Sequence, residues 1–192
     1  MRSIFALALA SSLALAAFAC SGSSTGPTGP SGTLTVMLKD SPFSDAKSLL
    51  VTFSEVSVHQ AEGEWTKLPF AAAGATSRTC DLKKLQTAQD ILGTGPLAAG
   101  RYTMLRVIVT SAALYFENAA TGEPCATTIA APAGRSANIE IPSGEVRFNR
   151  NFELTANNTS MILLDFDGDR SVQETGNGRY TMSPVIGIVS VQ

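Results

Sequence analysis

Arg101-Tyr102-Thr103-Met104-Leu105-Arg106-Val107-Ile108-Val109-Thr110 is the stretch whose pattern decides the fold. Leu105, Val107 and Val109 alternate onto one face, while Tyr102, Met104 and Ile108 take the other with Arg106 among them. A run that is apolar on both faces belongs in the middle of a sheet. The same two-residue period recurs on either side of it. Residues 33–39 place Leu34, Val36 and Leu38 together before the turn residues Asp40-Ser41-Pro42. In residues 49–59 the apolar set changes parity between Phe53 and Val56, which predicts a bulge near Ser54-Glu55.

Further strands are expected at 64–68, 114–116, 126–130, 138–141, 146–154, 160–166 and 184–191. Asn177-Gly178 reads as a two-residue hairpin turn, because both residues tolerate the left-handed conformation it needs. Residues 71–80 read as loop. The one helical patch expected is 81–93, with Thr87-Ala88-Gln89-Asp90 resembling a capping box and Gly93 as its stop. Strands spaced about ten residues apart with one short helix predict an all-β fold, a single antiparallel β-sandwich of the immunoglobulin or prealbumin-like kind over residues 33–192.

The chain has 192 residues, 44% hydrophobic, 16% charged and 7% aromatic. That is enough apolar material for one packed core. Fourteen Lys and Arg against 16 Asp and Glu give a net charge of −2, which leaves no electrostatic footprint for nucleic acid. His59 is the single histidine. A Ser-His-Asp hydrolase would rest on it alone, and no Gly-x-Ser-x-Gly elbow is present.

The N-terminus reads as an address rather than as structure. Arg2 is followed by an apolar run from Ile4 to Ala19, shorter than the ~20 residues of a membrane span. Residues 1–19 are expected to be a signal peptide. Leu15-Ala16-Ala17-Phe18-Ala19-Cys20 resembles a bacterial lipoprotein signal, in which the cysteine becomes the lipidated first residue. Residues 21–32 hold no charge and no apolar side chain besides proline. Residues 20–32 therefore suit a lipidated cysteine and flexible tether, spanning about 37 Å at ~3.1 Å per residue. The expected location is the cell envelope, lipid-anchored at the outer membrane or cell surface, or else secreted. Cys80 and Cys125 remain, and an oxidising compartment favours a bridge between them. Their spacing does not itself bring them together.

An ordered set of residues carries a resemblance. It runs from Gly32-Thr33-Leu34 and Asp40-Ser41-Pro42 through Val51-Thr52-Phe53, Val56-Ser57-Val58-His59 and Trp65. It continues with Asp81-Leu82, Leu97-Ala98-Ala99-Gly100-Arg101-Tyr102-Thr103 and Ile141-Pro142-Ser143-Gly144. It closes with Leu164-Asp165-Phe166-Asp167-Gly168-Asp169, Thr175-Gly176-Asn177-Gly178-Arg179-Tyr180 and Pro184-Val185-Ile186. Together these resemble a family of bacterial and archaeal domains of unknown function found on secreted or lipid-anchored proteins. The resemblance implies a carbohydrate-binding-like or prealbumin-like sandwich and no activity.

Candidate chemistry is sparse. Asp165, Asp167 and Asp169 alternate, and would gather around Ca²⁺ if the strand turned sharply there. The EF-hand pattern fails, since Arg170 stands where its glycine should be. No other cofactor is expected. Asp40, Asp45, Glu55, Asp165 and Asp167 offer acids for a glycosidase, with no pair singled out. Trp65, Tyr102 and Tyr180 are the candidate binding aromatics, with Tyr115 and Phe116 beside them. Trp65 is expected to face the core, since alternation would send its polar neighbours outward. The leading expectation is a non-enzymatic envelope lipoprotein that binds a saccharide or an envelope protein, or is structural. The alternatives are an envelope hydrolase using a carboxylate pair and a Ca²⁺-stabilised adhesion domain.

Overall fold

A computed structural model of the chain describes residue 27 and residues 29–41 and 45–192. The expected signal segment 1–19 and Cys20 lie outside the described residues, as does most of the 20–32 tether. The elements in chain order are β1 (Ser31–Ser41), β2 (Ser48–Gln60), β3 (Trp65–Lys67), β4 (Arg78–Asp81), α1 (Leu82–Leu85), β5 (Asp90–Ala98), β6 (Gly100–Tyr115), β7 (Cys125–Ala126), β8 (Ser136–Glu140), β9 (Glu145–Leu154), β10 (Thr159–Asp167), α2 (Gly168–Ser171), β11 (Val172–Gly176), β12 (Arg179–Met182) and β13 (Ile186–Val191).

Two sheets pack face to face. The first has the order β13-β10-β1-β5. The second runs β11-β12-β8-β6-β2-β4-β7, with β3 added to β2 and β9 to β6. The core lies between them, built from alternate residues as the two-residue period dictates. Leu34, Val36 and Leu38 of β1 and Ile162, Leu164 and Phe166 of β10 meet Val51, Phe53, Val56 and Val58 of β2 and Leu105 and Val107 of β6, all fully buried. Phe53 and Phe166 bridge the layers edge to face, 6.3 Å apart. Each such side chain contributes roughly 1.5–3 kcal/mol by leaving water.

The strand apolar on both faces is central: β6 pairs with β2 on one side and with β8 and β9 on the other. The bulge in β2 falls where the parity change put it. Phe53 faces Val109 and Glu55 faces Ile108, so Ser54 is the extra residue. Asn177 and Gly178 turn β11 into β12 with φ of 53° and 70°. Gly144 lets its loop lie flat on β6, where a Cβ would strike the Val109 carbonyl. Its own carbonyl accepts from Val109 N–H at 2.8 Å.

Several expectations are corrected. The sheets are mixed, because β1 runs parallel to β10 and β12 parallel to β8. The helix expected over 81–93 is a single turn, α1, and a second turn, α2, follows β10. Asp81, not Thr87, caps α1 by accepting from Lys83 N–H. Residues 90–98 are strand, and so are 78–81. β1 begins at Ser31, two residues inside the expected tether.

Candidate binding groove and the outer sheet face

β5 is an edge strand of the first sheet, and its free side forms one wall of a groove of about 1170 Å³. Pro96, Leu97 and Ala98 line that wall. Leu68, Pro69, Phe70, Tyr102, Glu55 and Lys67 line the groove as well. Pro27 and Gly29 touch the same space, so the chain leaves the sandwich at the groove. Pro30 fixes this exit, its carbonyl accepting from Ala99 N–H at 2.8 Å.

A free strand edge invites pairing with another strand, and this one is blunted. Thr94 N–H points away from β1 and donates to Pro69 O at 2.9 Å. Two residues on, Pro96 points the same way and has no N–H to give. Two further on, the Ala98 carbonyl is taken by the Tyr102 hydroxyl at 2.7 Å. The groove therefore suits a ligand held by its walls rather than a peptide added as a strand.

The bulge at Ser54 decides which side chains lie on the outer face of the sheet beside the groove. Without it Glu55 would follow Val51 and Phe53 into the core. With it, Glu55, Ser57 and His59 turn outward, level with Arg106 and Met104 of β6 and with Lys67 and Trp65 of β3. Glu55 is 7% exposed yet fully satisfied. Lys67 Nζ lies 2.6 Å from its Oε2, Ser57 Oγ donates to Oε1 at 2.8 Å, and Arg106 donates through Nε and Nη2. Burial pushes the carboxyl up, but the bonds from Lys67, Ser57 and Arg106 outweigh it and hold the pKa at about 2. The Arg106 guanidinium also sits 4.4 Å above the Trp65 ring, and His59 meets that ring at 5.3 Å. Trp65 thus lies half-buried on the outer face and not in the core, correcting the expectation from alternation. β3 pairs Trp65 with His59, and His59 faces out.

The other candidate residues scatter. Tyr102 is 2% exposed, stacked on Phe152 at 5.2 Å, and is no open platform. A bulge at Thr103 flips it from the face it was expected to share with Met104. Tyr180 lies in a separate, smaller pocket with Phe116, 5.9 Å away. The aspartates of the 165–169 run go to different partners. Asp165 takes Lys39 Nζ at 3.1 Å and Ser41 Oγ at 2.9 Å, while Asp167 caps α2 by accepting from Arg170 N–H at 3.0 Å. Asp169 is exposed. Among the described residues no three acidic, Cys or His side chains are grouped to hold a metal ion. Asp40 and Asp165 are close, yet alternation puts Asp40 beside Phe166 on the core side and Asp165 beside Lys39 on the outer side. Cys80 and Cys125 are bridged, S–S 2.07 Å, as direct cross-strand neighbours on β4 and β7. Sequence reasoning missed β5 as a groove wall, since its pattern assigns residues 90–93 to the helical patch, with Gly93 as the stop, and no strand to residues 94–98.

A family model matches residues 31–184, four-fifths of the chain. The chain belongs to the family described as a domain of unknown function, DUF4382. No curated protein and no solved structure matches it. The match spans β1 to the start of the segment before β13, so it covers the groove's lining residues other than Pro27 and Gly29, together with Trp65, Arg106 and the pocket at Tyr180.

Proposed function

We propose that this domain is a non-catalytic binding module of the bacterial cell envelope, tethered through lipidated Cys20 and holding its ligand in the groove beside β5. The carrying observation is the groove's chemistry. Its walls are mainly apolar, and the one carboxylate among its lining residues, Glu55, is tied to two cations with a pKa of about 2. Such a group has no proton to donate near neutral pH and no second acid opposite it, so a hydrolase using a carboxylate pair finds no support here. A rigid sandwich offering a preformed groove is what a binding role requires. The ligand is a saccharide chain or a protein of the envelope. The groove sits where the tether enters, so the ligand lies within the tether's span of the anchoring membrane.

Two measurements test this. Ala98→Trp fills the groove from a half-buried position at the end of β5. Co-sedimentation of the full chain with isolated envelope fragments should fall at least tenfold in that variant. Equal sedimentation of variant and parent would remove the groove from the account, and no sedimentation of either would remove the binding role. Separately, Cys20→Ala should move the protein from the membrane fraction to the soluble one.

A further inference from the structure

The pocket at Tyr180 is built from parts that the sequence scatters. Phe116 follows β6, Arg135 precedes β8, Val172 and Glu174 sit on β11, Tyr180 lies on β12, and Asp45 precedes β2. Pairing brings them together. Glu174 and Tyr180 are cross-strand neighbours in the hairpin, and Phe116 N–H donates to Arg135 O at 3.1 Å. The cavity is about 320 Å³, at the small end of the ~300–1,000 Å³ range of ligand sites. It lies apart from the groove and shares no lining residue with it.

Its chemistry narrows the ligand. The Arg135 guanidinium lies 4.0 Å from the Phe116 ring centre, so it already occupies the position a cationic ligand would take. Glu174 and Asp45 oppose an anion. Within the described residues no ion pair joins Arg135 or Glu174 to another side chain. Glu174 Oε1 accepts from Gly178 N–H at 3.3 Å, which steadies the carboxylate at the turn. What remains is a half-buried tyrosine ring flanked by one donor fork lying on the Phe116 ring and one acceptor steadied by the turn. A neutral ligand with an apolar face and adjacent hydroxyls satisfies all three: C–H groups lie on the ring, and the hydroxyls donate to carboxylate and accept from guanidinium.

We propose that Tyr180, Phe116, Arg135 and Glu174 form a saccharide subsite that holds one or two neutral pyranose rings, distinct from the groove. This rests on the binding role proposed above and adds to the groove a second site with a ligand class of its own.

The test uses the full chain in a non-glycosidic detergent and the methyl glycosides of glucose, galactose, mannose and N-acetylglucosamine as probes. Saturation-transfer NMR should show at least one of them bound through its ring C–H protons. Arg135→Ala and Glu174→Gln, both at exposed positions, should each weaken that binding at least tenfold at an unchanged melting temperature. Tyr180→Phe should keep it and Ala98→Trp should leave it alone. Silence from all four glycosides overturns the proposal, as does binding that survives both pocket substitutions or is lost in Ala98→Trp. If envelope co-sedimentation persists in those cases, the subsite falls while the binding role stands.

Discussion

At the scale of single residues, the outer face turns on Glu55. A carboxylate this buried is tolerated only because Lys67, Arg106 and Ser57 supply more than its desolvation removes. Arg106→Ala should therefore leave Glu55 with one cation. We expect its pKa to move up toward the ordinary range, and the fold to lose about 1–3 kcal/mol, as is typical when a charged hydrogen-bonding partner is deleted. Carboxyl ¹³C titration by NMR reads the first effect and urea unfolding the second; an unmoved Glu55 would mean that Lys67 alone suffices. The parity change at Ser54 made this cluster half-legible: it marked the bulge. It did not say that Trp65 would come round to the same face, because that depends on β3 pairing with β2 in a register set by His59 and Trp65. Tyr102 failed for the mirror-image reason, since the Thr103 bulge has no parity change to announce it among Met104, Leu105 and Ile108.

At the scale of elements, β5 was the hardest to read and is the most informative. Gly95 belongs there because a Cβ would reach within 2.8 Å of Pro69 Cδ, and it is that proline which seals the strand's edge. Loop-like composition is thus the mark of an edge protected from other strands. Pro96→Thr restores an outward N–H, and should produce concentration-dependent association of the domain, measured by light scattering. A strictly monomeric variant would show that Pro69 and Tyr102 suffice. The parallel pairing of β1 with β10 was illegible for a different reason: alternation fixes which face of a strand is buried and carries nothing about the direction of its partner. The bridge between β4 and β7 is likewise a long-range fact. β7 is two residues long and, among the described residues, pairs with β4 alone, so Cys80–Cys125 carries much of what holds it. Replacing both cysteines with alanine should cost about 2–4 kcal/mol and lower the melting temperature by roughly 5–15 °C. Calorimetry with and without reductant measures it, and equal melting points would place the stabilisation elsewhere.

At the scale of the whole molecule, two buried acids pull stability in opposite directions with pH. Asp40 ends the inner row of β1, 4% exposed, with Oδ1 unpartnered. Burial pushes its carboxyl up from 3.8 to about 7 despite hydrogen bonds from Gln86 and the Gly168 N–H. Between those values the folded state binds more protons than the unfolded one, so stability falls as pH rises, by up to about 1.4 kcal/mol per unit. Burial also raises Asp81, against hydrogen bonds from Ser48, Leu49 and Lys83, and adds to this falling limb. Glu55 acts in reverse. Its folded value of about 2 lies below the unfolded 4.5, so its contribution is complete above 4.5 and is lost as pH drops toward 2. The two limbs cross near pH 4, where the unfolding free energy should peak, about three units below neutrality. The sign is specific to each residue. Asp40→Asn should flatten the falling limb and stabilise the domain at pH 7 and above, while Glu55→Gln should flatten the rising limb and destabilise it at pH 5. Urea unfolding across pH 2–8 for the parent and both variants separates the contributions. A parent profile that climbs steadily to neutrality, unchanged in Asp40→Asn, would mean that Asp40 is ionised without cost in the folded protein.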